Sequence, residues 1–146
     1  MDGMMQQIQK DRAPAQRMDM LDILQNYVEQ QGGDFDKVYD ALKEGMDAGA
    51  VRIMRYGNTL MIYKIMQPGV ADVEIASSDS AQDLVAAIKD FYQAMQKANF
   101  KSVTMSTENP QIGRAVQASG VPVQVSMRPS TDGTQEFDLI ANLGGS

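Results

Sequence analysis

The sequence predicts a mixed α/β domain with a central sheet of about six strands and helices on both faces. Helical periodicity comes first, apolar alternation of period two begins near residue 50, and glycine or proline separates most segments. A chain of 146 residues can bury enough surface for one core. We therefore expect residues 16–146 to form a single domain and residues 1–15, rich in Met and Gln, to form an N-terminal arm.

Two amphipathic helices are predicted between residues 16 and 49. In the first helix, Leu21, Leu24 and Val28 repeat at helical intervals, and a pair of glycines follows. Asp34 is a suitable N-cap for the second helix because its side chain can accept from main-chain N–H groups. The inner face of the second helix is predicted to consist of Val38, Ala41 and Leu42.

Three strands are predicted after Ala50, where apolar residues begin to alternate. Gly57 and Asn58 separate the first two strands and are suited to positive φ, which indicates a tight hairpin. In the third strand Asp72 and Glu74 alternate with apolar residues. These two acids could act as paired carboxylates or bind a divalent cation, although a solvent-facing strand accounts for them more simply.

A long helix and a strand-helix-strand-strand series complete the predicted domain. Asp79 and Gln82 form a capping-box pattern at the start of the long helix. The buried stripe of that helix is predicted to be Leu84, Ile88, Phe91 and Met95. The strand that follows the last helix alternates Val121, Val123, Val125 and Met127. Core positions are also expected for the methionines Met61, Met95, Met105 and Met127.

Composition excludes several kinds of chemistry. The chain has neither cysteine nor histidine, which removes thiolate and imidazole catalysis and most transition-metal sites. A net charge of −6 opposes non-specific nucleic-acid binding. The sequence contains no apolar stretch of the ~20 residues that a membrane span needs, and no signal-peptide pattern at its start. We expect no nucleic-acid partner, no membrane span and a cytoplasmic origin.

The element order and the segment ENPQIGRAVQASGV resemble the Gcn5-related N-acetyltransferase family over about residues 16 to 141. That family often has an asparagine before a helix, a small residue and a tyrosine within it, and Gly-Phe after it. The corresponding residues here are Asn109, Ile112, Val116, Gly120 and Val121. An asparagine cap and a terminal glycine also suit any helix of this length. The first strand of the family has no clear counterpart.

The same resemblance implies loss of catalysis. In the family the tyrosine protonates the departing CoA thiolate, whereas Val116 has no proton to donate; general acids are typically worth ~10²–10⁴-fold in rate. The family's phosphate loop contains glutamine or arginine and ends in Gly-x-Gly or Gly-x-Ala, whereas residues 77–82 contain no glycine and no arginine. Asp79, as the expected cap, would also occupy the N–H groups that phosphate needs. We therefore expect no catalytic residues, no cofactor and no metal.

The first functional hypothesis is a non-catalytic structural or assembly protein that acts through contacts with other protein subunits. The chain resembles small proteins of tailed bacteriophages in its texture, so we expect an oligomer or part of a larger assembly, with incorporation in a phage particle. Met4, Met5 and Ile8 lie at helical spacing in the arm and are candidate partner-binding residues. A disordered leader, or an arm packed on its own domain, explains the same spacing.

Two other functions remain open at this point. A divergent acetyl-CoA-dependent N-acyltransferase would use Tyr56, Tyr63 or Glu74 for proton transfer. A monomeric adaptor would bind one basic host protein through its acidic surface.

Overall fold

The computed structural model describes residues 17–129 and 135–143. The elements are α1 (Met20–Gln30), α2 (Phe35–Asp47), β1 (Val51–Tyr56), β2 (Thr59–Gln67), β3 (Val70–Ser77), α3 (Ala81–Lys97), β4 (Ser102–Thr107), α4 (Pro110–Ala118), β5 (Val123–Pro129) and β6 (Gln135–Asn142). The predicted order of elements is confirmed. The arm with Met4, Met5 and Ile8 lies outside the described residues.

The strands form one mixed six-stranded sheet in the order β1-β2-β3-β4-β6-β5. The pair β3–β4 is parallel and is connected through α3, while the other four pairs are antiparallel. The predicted mixed sheet of about six strands is therefore confirmed.

The two faces of the sheet carry different helices, as predicted. On one face, Met61, Val73 and Met105 of the strands pack with the buried stripe of α3 and with α4. On the other face, Leu60 and Ala76 pack with the inner residues of α1. This separation follows from the strand period of two, because neighbouring residues point to opposite faces. The predicted α3 stripe of Leu84, Ile88, Phe91 and Met95 is buried.

The β1–β2 hairpin has one residue at positive φ. Gly57 has φ 61°, whereas Asn58 does not take positive φ, which is the pattern of a type II′ turn. The prediction of positive φ at both positions is corrected accordingly.

A carboxylate clamp, formed by Asp79, ties the loop between β3 and α3 to this hairpin. Asp79 Oδ2 accepts from the main-chain N–H of Asn58 at 2.9 Å and from Thr59 Oγ1 at 2.8 Å. Ser80, not Asp79, is the N-cap of α3, and its hydroxyl accepts from the N–H of Asp83. The predicted capping box is therefore wrong, because Asp79 has stronger partners on the hairpin than at the helix start.

Two predictions of burial are also corrected. None of the residues of α2 is buried, and Ala41 is exposed, because α2 covers mainly the outermost strand β1. Met127 is 55% exposed and Val125 is 37% exposed, because β5 is the opposite edge strand of the sheet. Met61, Met95 and Met105 are buried as predicted.

Candidate functional site

The strands β3 and β4 separate part-way along their length. They pair only through Val70–Ser102, Ala71–Val103 and Asp72–Thr104. Beyond Asp72, β3 continues to Ser77, and β4 continues to Thr107, without pairing to each other. The main-chain groups of β3 that face this opening are therefore available to an extended ligand.

The α3/α4 side of the opening is apolar. A cavity of about 50 Å³ lies there, and Val73 and Ile75 of β3, Met105 of β4 and Val116 of α4 are among its lining residues. Val116 thus occupies the place that the family resemblance assigned to a tyrosine, and its side chain offers only an apolar surface. The cavity suits an apolar or thioester group rather than an ion.

The α1/α2 side of the opening carries carboxylates. Asp72 Oδ1 accepts from Thr104 Oγ1 at 2.7 Å, which links β3 to β4 at their last paired position. Glu74, the next residue on that face, is exposed, and its Oε2 accepts from the Tyr27 hydroxyl of α1 at 2.7 Å. Burial, the hydrogen bond and the Glu74 charge all raise the pKa of Tyr27 well above its ordinary value. Tyr27 is consequently a hydrogen-bond donor to Glu74 throughout the physiological pH range.

A groove adjoins Glu74 between α1, α2 and the sheet. Its volume is about 220 Å³, and it is lined by Leu24, Tyr27, Val28, Gln31, Gly33, Val38, Leu42, Ile62 and Glu74. The groove and the apolar cavity lie on opposite faces of the sheet, because Ile62 and Glu74 alternate with the inward residues of the α3/α4 core.

The start of α3 stands at the upper end of the opening, directly after β3. The first N–H groups of any helix lack helical partners, so Ala81 and Gln82 can donate to an anion. Asp79 does not use these donors, because its carboxylate faces the hairpin. Asp83 in the first turn adds a negative charge, and residues 76–83 contain no basic side chain.

The three proton-transfer candidates do not come together. Tyr63 is a core residue whose ring packs against Phe91 and Phe100. Tyr56 lies at the end of β1, and burial, followed by the charge of Asp90, raises its pKa. Only Glu74 lies beside the opening between β3 and β4.

Tyr27 is the site residue that sequence reasoning missed. It is 47 residues from Glu74 along the chain, and in the sequence it reads only as part of the apolar stripe of α1. Asn109 caps α4 by accepting from the N–H of Gln111, and Gly120, with φ 79°, follows the helix. These two residues therefore act as helix-end residues in the fold.

Within residues 17–129 and 135–143, no group of three or more acidic side chains is placed to hold a metal ion. The helices described for this chain include none that is long and apolar enough to cross a bilayer.

Comparison with known proteins identifies the fold. No protein-family model matches the chain. No curated protein matches it either. Solved structures do: aminoglycoside 6′-acetyltransferase type Ii is similar with a TM-score of 0.61 and 9% identity, over 90% of this chain and 92% of that chain. Spermidine N-acetyltransferase from Vibrio cholerae, solved with CoA and spermine, is similar with a TM-score of 0.58 and 11% identity, over 75% and 76%.

The chain has a Gcn5-related N-acetyltransferase-like fold. A third similar structure is Tetrahymena GCN5, with a TM-score of 0.50 and 13% identity, over 90% of this chain and 92% of that chain. The fold resemblance expected from the sequence is confirmed.

The prediction of a non-catalytic phage structural or assembly protein is contradicted by these likenesses. The three similar structures reported above are named as a spermidine N-acetyltransferase, an aminoglycoside 6′-acetyltransferase and GCN5, and none of these three names is that of a virion component. The geometry also removes one argument for lost catalysis, because Asp79 does not cap α3.

Proposed function

We propose that the protein is an acyl-CoA-dependent N-acyltransferase. The observation that supports this function best is the opening between β3 and β4, which has an apolar cavity on one face and the carboxylate of Glu74 on the other. Acetyl-CoA would supply the activated acyl group from the α3/α4 side. An amine acceptor would approach from the α1/α2 side.

Glu74 is the proposed general base. The acceptor binds as an ammonium ion and loses one proton to Glu74 before its nitrogen attacks the thioester carbonyl. The C–N bond forms, the C–S bond breaks, the sulfur leaves with its electron pair as a thiolate, and the nitrogen releases a second proton to water. Glu74 Oε1 has no hydrogen-bond partner among the described residues, while Tyr27 holds Oε2 in place. One carboxylate oxygen therefore remains for the amine.

The departing thiolate receives no proton from α4. Val116 lines the apolar cavity at the position where a tyrosine would act, so the sulfur leaves as an anion. A thiol has a pKa of about 8.5, which makes a thiolate a workable leaving group in mildly alkaline solution. We expect slow transfer, below that of an enzyme with the acid by the ~10²–10⁴-fold that general acids contribute.

The phosphate end of the proposed site is weaker than the acyl end. Ala81 and Gln82 supply main-chain donors, but Asp83 places negative charge in the same helix turn and residues 76–83 contain no basic side chain. We therefore expect acetyl-CoA to bind in the micromolar range or more weakly.

The test combines binding with turnover. Purified full-length protein is titrated with acetyl-CoA by thermal shift, and thiol release is followed with a panel of amines. Glu74→Gln should lower kcat/KM by about 10²–10⁴-fold, while Glu44→Gln, on the exposed surface of α2, should leave it unchanged. If acetyl-CoA does not stabilise the protein and no amine gives thiol release, the proposed function is overturned.

The oligomer expected from the sequence stays a prediction. Light scattering on the same sample tests it, and a single species of monomer mass would count against it.

A further inference from the structure

The groove beside Glu74 has apolar walls and a polar end. Leu24 and Val28 of α1, Val38 and Leu42 of α2, and Ile62 of β2 supply the apolar walls. At the other end Tyr27 donates to Glu74 at 2.7 Å. A molecule that fills this groove therefore meets hydrocarbon along its body and one fixed carboxylate at its tip.

The volume of the groove limits the size of its occupant. It measures about 220 Å³. An engineered apolar cavity of about 150 Å³ in another protein holds benzene, so this groove has room for one six-membered ring with a short side chain. It is smaller than the ~300–1,000 Å³ of sites that hold drug-sized ligands.

The charge of the groove limits the number of ammonium groups. Glu74 is the single charged side chain among the described residues that line it. Asp72, the nearest acid on the same strand face, lies outside the groove lining and accepts from Thr104. A second ammonium group inside the groove would find no second carboxylate there, and its strongest side-chain partner would be the neutral amide of Gln31. A neutral amide does not offset the cost of removing a charge from water, which is far larger than the cost for a neutral group.

We propose that the groove selects a primary monoamine with an apolar body, such as an arylalkylamine or a short alkylamine, as the acceptor. The role of the amine as acyl acceptor rests on the proposed function, whereas the binding of the amine in the groove does not depend on acyl transfer. It distinguishes this chain from the similar structures named for spermidine and aminoglycosides, whose ligands carry several amino groups.

The test is calorimetric titration of the full-length protein without acetyl-CoA. The probes are phenylethylamine, butylamine and spermidine. We expect phenylethylamine to bind at least ten-fold more tightly than spermidine, because ten-fold corresponds to about 1.4 kcal/mol and an unpaired ammonium costs more than that. If spermidine bound the wild-type protein as tightly as phenylethylamine, or more tightly, the inference would be overturned without any variant.

A pair of variants on α2 locates the binding. Val38→Phe fills the groove and should weaken phenylethylamine binding at least about ten-fold. Ala41→Phe adds a larger ring to an exposed position of the same helix outside the groove, and should leave the affinity unchanged. Circular dichroism confirms that both variants fold. Equal affinity of the two variants would show that the amine binds elsewhere.

The outcomes for function and for substrate class are separable. Tight phenylethylamine binding without thiol release in the transfer assay would retain the monoamine groove and overturn the acyltransferase. Thiol release with spermidine but not with phenylethylamine would retain the acyltransferase and overturn the groove inference.

Discussion

The carboxylate clamp at Asp79 should carry a measurable share of the stability of the fold. Asp79→Ala removes two charge-assisted hydrogen bonds, from Asn58 N–H and from the fully buried hydroxyl of Thr59. Bonds to charged groups contribute about 1.5–3 kcal/mol each. The two bonds together would contribute about 3–6 kcal/mol. Thr59 keeps a second partner in Ser77 Oγ at 2.7 Å, and Asp79 is partly exposed, so we expect a loss no larger than the lower end of this sum, about 2–3 kcal/mol.

Urea unfolding and thermal unfolding, both followed by circular dichroism, measure this loss in the free energy of unfolding. At about 3 °C per kcal/mol for a chain of this size, the thermal midpoint should fall by about 6–9 °C. Asp40→Ala is the matched control, because Asp40 is an exposed residue of α2, and substitutions at such positions usually change stability by about 0.5 kcal/mol or less. If Asp79→Ala lowered the free energy of unfolding no more than Asp40→Ala, the clamp would contribute nothing measurable to stability, and the reasoning from its distances would be wrong.

Three further predictions concern the apolar cavity, the hairpin glycine and the β5–β6 strand pair. Val116→Tyr should raise thiol release about ten-fold or more over Val116→Phe, which fills similar volume without a hydroxyl, while both lose about 1–3 kcal/mol of stability to overpacking. Gly57→Ala should cost more than Gly49→Ala in urea unfolding. Both glycines have positive φ, but a Cβ on the first lies 3.1 Å from the clamp carboxylate and one on the second meets nothing within 4 Å. The Arg128 hydrogen bond, with a smaller contribution from Ser106, lowers the pKa of Asp138. Its stabilising effect is therefore present above about pH 4 and is lost as pH falls through the lowered pKa. Arg128→Met should raise that pKa in an NMR titration, and an unchanged value would refute the assignment.

Local pattern was sufficient for most of the secondary structure. The apolar stripe of α3 repeats with helical period over the whole element and is buried as that period requires. The short loop at Gly57 likewise identified the β1–β2 hairpin, since glycine allows the positive φ of such turns. In both cases the deciding interactions lie within a few residues of each other.

Long-range partners decided what the sequence could not show. Asp79 and Ser80 are both good cap residues, and only the hairpin, folded against the loop, draws the carboxylate of Asp79 away. The alternation around Met127 indicated a strand correctly but could not show that this strand is an edge.

The candidate site depends even more on tertiary placement. Glu74 was considered for proton transfer from its residue type alone, whereas its link to Tyr27 spans two elements and 47 residues. The opening between β3 and β4 has no sequence signal, because where two strands stop pairing depends on their relative directions in the sheet. Element order suggested the fold, and the function inferred from its missing tyrosine was wrong.

The short β3–β4 junction also has a consequence for how the chain folds. β1, β2 and β3 form a meander of local contacts, whereas β3 meets β4 only after the intervening helix α3 and through three residue pairs. Local pairings form faster than non-local ones, and weakly joined segments open as separate cooperative units. Native-state hydrogen exchange should therefore resolve two folding units, β1–β3 and β4–β6, with the boundary of protection at the seam between them.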